Sequence, residues 1–248
     1  MPPIGTEVAE SVHRLTNGVS NFYLIEEDGK LVLVDAGAPK DWARLTRAVT
    51  ALGRRVADLD AVILTHAHSD HTGFAEQART TAGARVWVPA PDSDVATTGK
   101  AGPREGKATA YLLRPAFYRT LWILTLGGAT KIIPVREVST FGDGETLDVP
   151  GRPRAVYAPG HTPGSAALYF ESRRALLTGD ALVTHNPLTG RLGPQIMPAG
   201  LNSDSAQALR SLDNLAGITA DVLLAGHGEP WTDGVAAAVS RAKTAGTS

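Results

Sequence analysis

The chain has 248 residues, 43% of them hydrophobic, enough to bury one large core as a sizeable single domain or two small ones. Its 24 basic and 25 acidic residues nearly cancel, which argues against nucleic acid as a partner, although a neutral total can hide a local basic patch. The absence of cysteine removes disulfide scaffolds, thiolate metal ligands and cysteine nucleophiles together.

Residues 1–7 have neither the basic start nor the apolar stretch of a secretory leader, and no run reaches the ~18 apolar residues of a membrane span. A soluble, cytoplasmic protein is expected. Short strands follow around residues 11–15, 21–25 and 31–34, with the hairpin dipeptides Asn17-Gly18 and Asp28-Gly29 between them. His13 has no acidic or imidazole neighbour in sequence, which suits a structural or exposed side chain. The third strand runs into Asp35-Ala36-Gly37, whose carboxylate can cap a turn or serve as an acceptor behind a metal-binding loop. Trp42, Leu45, Val49 and Leu52 recur at helical spacing, and Gly53 stands where a helix would end.

The apolar run Ala61-Val62-Ile63-Leu64 reads as a buried strand that delivers Thr65-His66-Ala67-His68-Ser69-Asp70-His71 at its mouth. Three imidazoles and a carboxylate so close together are the donor types that Zn²⁺, Fe²⁺ or Mn²⁺ prefer. A helix expected from Thr72 to near Gly83 would put His71 at or just before its N-terminus, where the partial positive charge disfavours imidazolium and keeps the ring available as a ligand. A strand at residues 85–88, closed by Pro89, completes a β-α-β-α-β order.

Residues 91–134 break this pattern. Up to Lys107 the composition reads as loop; from Tyr111 it becomes apolar and aromatic, with Phe117, Tyr118 and Trp122 and with Arg114 and Arg119 between them. Such a segment can be ordinary core helix, a lid over an active site, or a dimer or membrane-surface contact. Its arginines and aromatics suit an acyl or aromatic substrate with a carboxylate.

Short strands resume at residues 145–149 and 154–157, the latter ending in Ala158-Pro159-Gly160-His161-Thr162-Pro163-Gly164-Ser165, a loop whose glycines let backbone approach a metal centre. Strands at 166–170 and 175–177 lead into Thr178-Gly179-Asp180, and His185 beyond reads as an unliganded surface or pocket histidine. Residues 187–201 read as loop, residues 203–215 as a helix stopped by Gly217, and residues 221–224 as a strand ending in Gly226-His227-Gly228. A closing helix at 235–242 and a frayed tail at 244–248 are expected.

His66, His68, Asp70, His71, His161, Asp180 and His227 thus all stand at strand ends, the right inventory for two metal ions joined by one carboxylate. With Asp35-Ala36-Gly37, these motifs resemble, in order and over residues 35–228, those of the metallo-β-lactamase superfamily. The resemblance implies an α+β fold, a four-layer αβ/βα sandwich of two mixed sheets with helices outside. It implies one domain over residues 1–248, with the aromatic-rich insertion at about 91–134. It also implies that His66, His68 and His161 hold one ion, that Asp70, His71 and His227 hold a second, and that Asp180 bridges them. A bridging hydroxide would then be the nucleophile, with Asp70 and Asp180 as catalytic carboxylates and two divalent ions, Zn²⁺ before Fe²⁺ or Mn²⁺, as cofactors.

Departures from the family's patterns narrow the activity. The lack of cysteine excludes the antibiotic-hydrolysing members with a thiolate ligand. Few residues follow His227, so glyoxalase II, with its glutathione-binding extension after the last ligand, is not the expected enzyme, and Val183 stands where the acyl homoserine lactone hydrolases carry a tyrosine, which weakens that activity without excluding it. The expected activity is hydrolysis of a small ester, lactone or thioester. A phosphodiesterase, or a mono-iron sulfur dioxygenase-type oxidoreductase, is the alternative. The expected partner is a small molecule, with a homodimer as a further option.

Overall fold

The computed structural model describes residues 5–247; the leader reading on residues 1–4 and the tail reading on residue 248 lie outside the described residues. The first half builds a seven-stranded sheet whose strands lie in chain order: β1 (Thr6–Ala9), β2 (Val12–Thr16), β3 (Asn21–Glu27), β4 (Lys30–Val34), β5 (Leu59–Ile63), β6 (Arg85–Pro89) and β7 (Ser139–Phe141). β1 to β4 pair antiparallel, and β4 to β7 pair parallel. The parallel crossovers run through α1 (Trp42–Ala51), α2 (Ala75–Ala82) and a long connection holding α3 (Ser93–Thr98) and α4 (Pro115–Gly127).

The second half contains β8 (Arg154–Tyr157), β9 (Ala166–Phe170), β10 (Ala175–Gly179), β11 (Val183–His185), β12 (Leu192–Gln195), α5 (Ser205–Ser211), α6 (Asp213–Ala216), β13 (Val222–Ala225) and α7 (Val235–Ala245). Its main sheet runs β13-β10-β9-β8, with β10 and β13 parallel and the other pairs antiparallel; β11 and β12 form a separate ribbon.

Side-chain alternation stacks these elements into four layers. Leu24, Leu33, Val62 and Val86 point from the first sheet toward Leu45, Val49, Phe74 and Ala78 of the α1–α2 side. Their neighbours Ile25, Val32, Ile63 and Trp87 point the other way, onto Ala155, Leu168, Leu177 and Leu224 of the second sheet. The outer face of that sheet, with Val156, Leu176 and Leu223, is covered by Leu212, Leu215, Ala238 and Val239. This is the expected α+β αβ/βα sandwich. Because the central strands are buried on both faces, they read as unbroken apolar runs with no period-two signal. Polar hooks mark their ends instead: Asn21 Nδ2 and Tyr23 OH both donate to Ala225 O, at 3.0 and 2.7 Å, tying β3 to the end of β13.

Several expected elements differ. Residues 145–149 form no strand: Thr146 makes an isolated bridge to Arg154, and the turn at Pro150-Gly151, with Gly151 at φ +78°, reverses the chain before a ladder can grow. The helix expected from Thr72 starts at Ala75, because the N–H groups of Gly73 and Phe74 are committed to Gly37 O and Ala36 O. The helix expected over 203–215 breaks at Leu212 into α5 and α6. The segments read as loop contain α3 and β12, and β1 and β7 fall where no strand is expected. At the other end, α7 continues through Thr244 to Ala245, into the stretch expected to fray. No helix of the described residues is long and apolar enough to cross a membrane.

Candidate metal centre

Parallel pairing is what gathers the strand-end residues, since parallel neighbours finish on the same edge. β4 and β5 end together, and Asp35 N donates to Ile63 O at 2.9 Å, which sets Asp35 beside the 65–71 turn. β10 and β13 end together, and Gly226 N donates to Gly179 O at 2.8 Å, which sets Asp180 beside His227. The two sheet edges are stitched by Ala166 N to Thr65 O (3.0 Å) and Asn21 N to Gly226 O (2.7 Å). The backbone at Gly226 is held so close that a Cβ there would lie 2.2 Å from Asp180 Oδ1 and 2.8 Å from His71 Cε1.

All seven residues singled out from the sequence converge here. Ligand atoms of His66, His68 and His161 lie within 4.8 Å of one another, as do those of Asp70, His71 and His227, and those of His66, His71 and Asp180. Asp180 stands between the two histidine sets: Oδ2 is 3.3 Å from His161 Nε2 and 3.1 Å from His227 Nε2, while Oδ1 is 3.5 Å from His71 Nε2. His68 turns its Nδ1 to the group, 2.8 Å from His161 Nε2. His66 Nε2, His71 Nε2 and Asp180 Oδ1 are buried without a hydrogen-bond partner. Buried polar atoms are rarely left so, and donors about 3–4 Å apart are what an ion with bonds of about 2.0–2.2 Å needs. The donor set therefore fits divalent transition metals.

Four of the five rings are turned toward the centre by a partner on the far side. The Nδ1–H of His71 donates to Asp35 Oδ2 (2.9 Å). The Nδ1–H of His66 donates to Thr65 Oγ1 (3.0 Å), whose own proton goes to Asp35, with Thr65 N also donating to Oδ1 (2.8 Å). His161 Nδ1–H donates to Asn202 Oδ1 (3.0 Å), and His227 Nδ1–H to Val19 O (2.7 Å). Ser20 Oγ donates to Asp70 Oδ2 at 2.6 Å. Asp35, expected either as a turn cap or behind the metal loop, lies behind it; it accepts the bonds from His71 and Thr65 while its own backbone is left-handed, φ +60°.

The electrostatics split the group. Burial, reinforced by the neighbouring imidazoles, keeps His66 and His68 well below the ordinary histidine pKa, and His161 is lowered chiefly by burial. For His71 burial acts the same way but is overridden by Asp180, Asp70 and Asp35, which raise its pKa to about 10; His227 is raised against burial by Asp180 and Asp70. Asp180 stays well below the ordinary carboxylate value because His227 and His71 outweigh its burial. The helix N-terminus expected at or just before His71 does not lie there. The helix starts four residues later, and the carboxylates draw positive charge onto this side of the centre, where a divalent cation would compete with the protons.

Above this floor lies a cavity of about 330 Å³. The aromatic insertion forms one wall, with Phe117, Thr120, Leu121 and Leu124 of α4 facing it, opposite Leu188, Met197 and Leu201. The wall is pinned by Thr120 Oγ1 to Pro187 O (2.6 Å), Arg119 to Gly18 O (2.9 Å) and Ser69 Oγ to Ala129 O (2.8 Å). Tyr118 and Trp122, grouped with Phe117 in the sequence, face outward at 54% and 67% exposure, and Tyr111 is buried against Gly200. His13 pairs with Glu26 (3.3 Å), and neither it nor His185 belongs to a ligand group.

Sequence reading missed four supports. Asp92 accepts from Ala67 N (2.9 Å) and Gly164 N (2.8 Å), so one carboxylate ties the His66–His68 turn to the His161 loop. As a carboxylate just past the end of β6 it carried the same signal as Asp35. Ser20, Asn202 and the Val19 carbonyl carried none.

A mixed-sheet αβ/βα sandwich with paired His/Asp ligand groups at its strand ends defines a metal-binding hydrolase class, and comparison with known proteins agrees. The metallo-beta-lactamase superfamily profile matches residues 15–227; the chain belongs to this superfamily and is a metal-dependent hydrolase. It is 29% identical over 242 residues to the probable metallo-hydrolase YflN of Bacillus subtilis, covering 92% of this chain and 88% of that protein. It is 24% identical over 216 residues to the hydroxyacylglutathione hydrolase GloC of Haemophilus influenzae, covering 86% and 88% respectively. Among solved structures, the metallo-beta-lactamase family protein TTHA1429 of Thermus thermophilus aligns with a TM-score of 0.64 and 29% identity over 91% of this chain and 74% of that one.

Proposed function

We propose that the protein hydrolyses a small ester, lactone or thioester at a dinuclear metal centre. The observation that carries this reading is Asp180, whose two oxygens face both histidine sets at the floor of a cavity of about 330 Å³. His66, His68 and His161 would hold one ion, Asp70, His71 and His227 the other, and Asp180 both, with Zn²⁺ favoured over Fe²⁺ or Mn²⁺ by the nitrogen-rich set. When bound, such a pair of ions lowers the pKa of water toward neutrality and polarises a substrate oxygen.

The chain's own residues do the rest. Asp70, fixed by Ser20, and Asp180 stay ionised as acceptors at the floor. Phe117, Leu121 and Leu124 present an apolar wall that suits an acyl group and excludes water. The similarity to a protein named hydroxyacylglutathione hydrolase supports acyl rather than phosphoryl substrates. On this reading residues 1–248 act as one catalytic domain, with the insertion at about 91–134 shaping substrate choice.

Elemental analysis should give two metal ions per chain, and a panel of p-nitrophenyl esters, lactones, acyl thioesters and bis-p-nitrophenyl phosphate should show turnover confined to acyl compounds and abolished in Asp180→Ala. A single iron per chain, or turnover of the phosphodiester alone, would overturn the proposal.

A further inference from the structure

We infer that Arg104 is the specificity residue of this centre and that the preferred substrate is an acyl compound carrying a carboxylate, which Arg104 pairs with while the acyl group lies along α4. The inference rests on the hydrolytic reading above. Among the residues lining the cavity, Arg104 is the one arginine or lysine. Among the described residues it has neither a hydrogen-bond partner nor an ion pair. The arginines that the sequence offered for this role are placed elsewhere: Arg119 is committed to Gly18 O, and Arg114, at the start of α4, does not line the cavity.

The position of Arg104 is fixed although its side chain is spare. Glu105 N donates to Asn202 O (2.8 Å), Gly106 N donates to Ala199 O (3.0 Å), and Ser205 N donates to the Glu105 carboxylate (2.7 Å). Asn202 is the residue that orients His161, so the segment carrying Arg104 is fastened to the metal centre itself. Arg104 and His68 line the same cavity. The only carboxylates lining the cavity, Asp70 and Asp180, are engaged with the histidines at the floor. An exposed cation with no internal partner, lining a cavity of small-molecule size with an apolar wall and a polar floor, matches a ligand with an apolar middle and a carboxylate end, the group a planar guanidinium pairs with in two-pronged fashion.

The test compares p-nitrophenyl butyrate with mono-p-nitrophenyl glutarate in the metal-loaded parent, Arg104→Gln and Arg104→Lys. The ratio of kcat/KM for the glutarate ester over the butyrate ester should fall about tenfold in Arg104→Gln, through KM rather than kcat, and recover in part in Arg104→Lys. Calorimetric titration with butyranilide and glutaric acid monoanilide reads the same preference without turnover: only the anionic ligand should lose affinity, again about tenfold. Ratios within twofold of the parent in both measurements would overturn the role of Arg104 and leave the hydrolytic reading standing. Failure of the parent to cleave either ester, with Arg104-dependent binding of the monoanilide, would overturn that reading and support the anion site.

Discussion

Replacing Asp92 should loosen both halves of the metal centre at once. The side chain is 1% exposed and accepts from Ala67 N and Gly164 N, so its removal strands two buried backbone N–H groups. An unsatisfied buried donor costs about 1–3 kcal/mol, so two of them put Asp92→Ala about 2–6 kcal/mol below the parent. Asp92→Asn keeps one acceptor and should lose about half as much. Burial raises the folded-state pKa of Asp92 above 3.8, against hydrogen bonds from Thr162, Ala67 and Gly164 that lower it. The sign follows: the parent's advantage over Asp92→Asn is fullest below 3.8 and shrinks as pH rises through the folded-state pKa. Urea unfolding with chelator present isolates the folding loss, and competition titration with a metal indicator should show affinity weakened about 10–100-fold in Asp92→Ala. An Asp92→Ala protein that unfolds within about 0.5 kcal/mol of the parent and binds metal equally well would refute the reasoning.

Other outcomes follow from the same contacts. Asp35→Ala should weaken metal binding about 10–100-fold, because His71 and Thr65 lose their common acceptor; unchanged affinity in the same titration would show that the rings are held without it. Gly226→Ala should take up less than one equivalent of metal by elemental analysis while keeping the parent's far-ultraviolet circular dichroism, since the new methyl falls on Asp180 and His71. Phe117→Ala and Leu124→Ala should shift the preferred acyl length, whereas Tyr118→Ala and Trp122→Ala on the outer face should not; sedimentation of the latter pair also tests that face as a homodimer contact.

What could be read in advance was set by chemistry that needs particular residue types. Imidazoles and carboxylates at strand ends have few other uses in such numbers, so His66, His68, Asp70, His71, His161, Asp180 and His227 stood out before their positions were known. The sandwich was legible because its central strands are unbroken apolar runs. The failures share a cause, namely tertiary contact overriding local signal. Thr72-Gly73-Phe74 looks like a helix start, yet its N–H groups are taken by the 36–37 backbone. β12 contains Gly193 and Pro194 and forms only because β11 pairs with it. Arg104 lay in a stretch whose composition said loop, and nothing local told it apart from Arg114 or Arg119.

The far-side partners of the histidines also differ in kind. His66, His71 and His161 are aimed by side chains, through Thr65, Asp35 and Asn202, each of which a single codon change can delete. His227 is aimed by the carbonyl of Val19, which every amino acid supplies. Among these four rings, drift at the surrounding positions can therefore misdirect three but not that of His227. A decaying lineage of this protein would keep the tautomer of His227 longest, after the partners of the other three had gone.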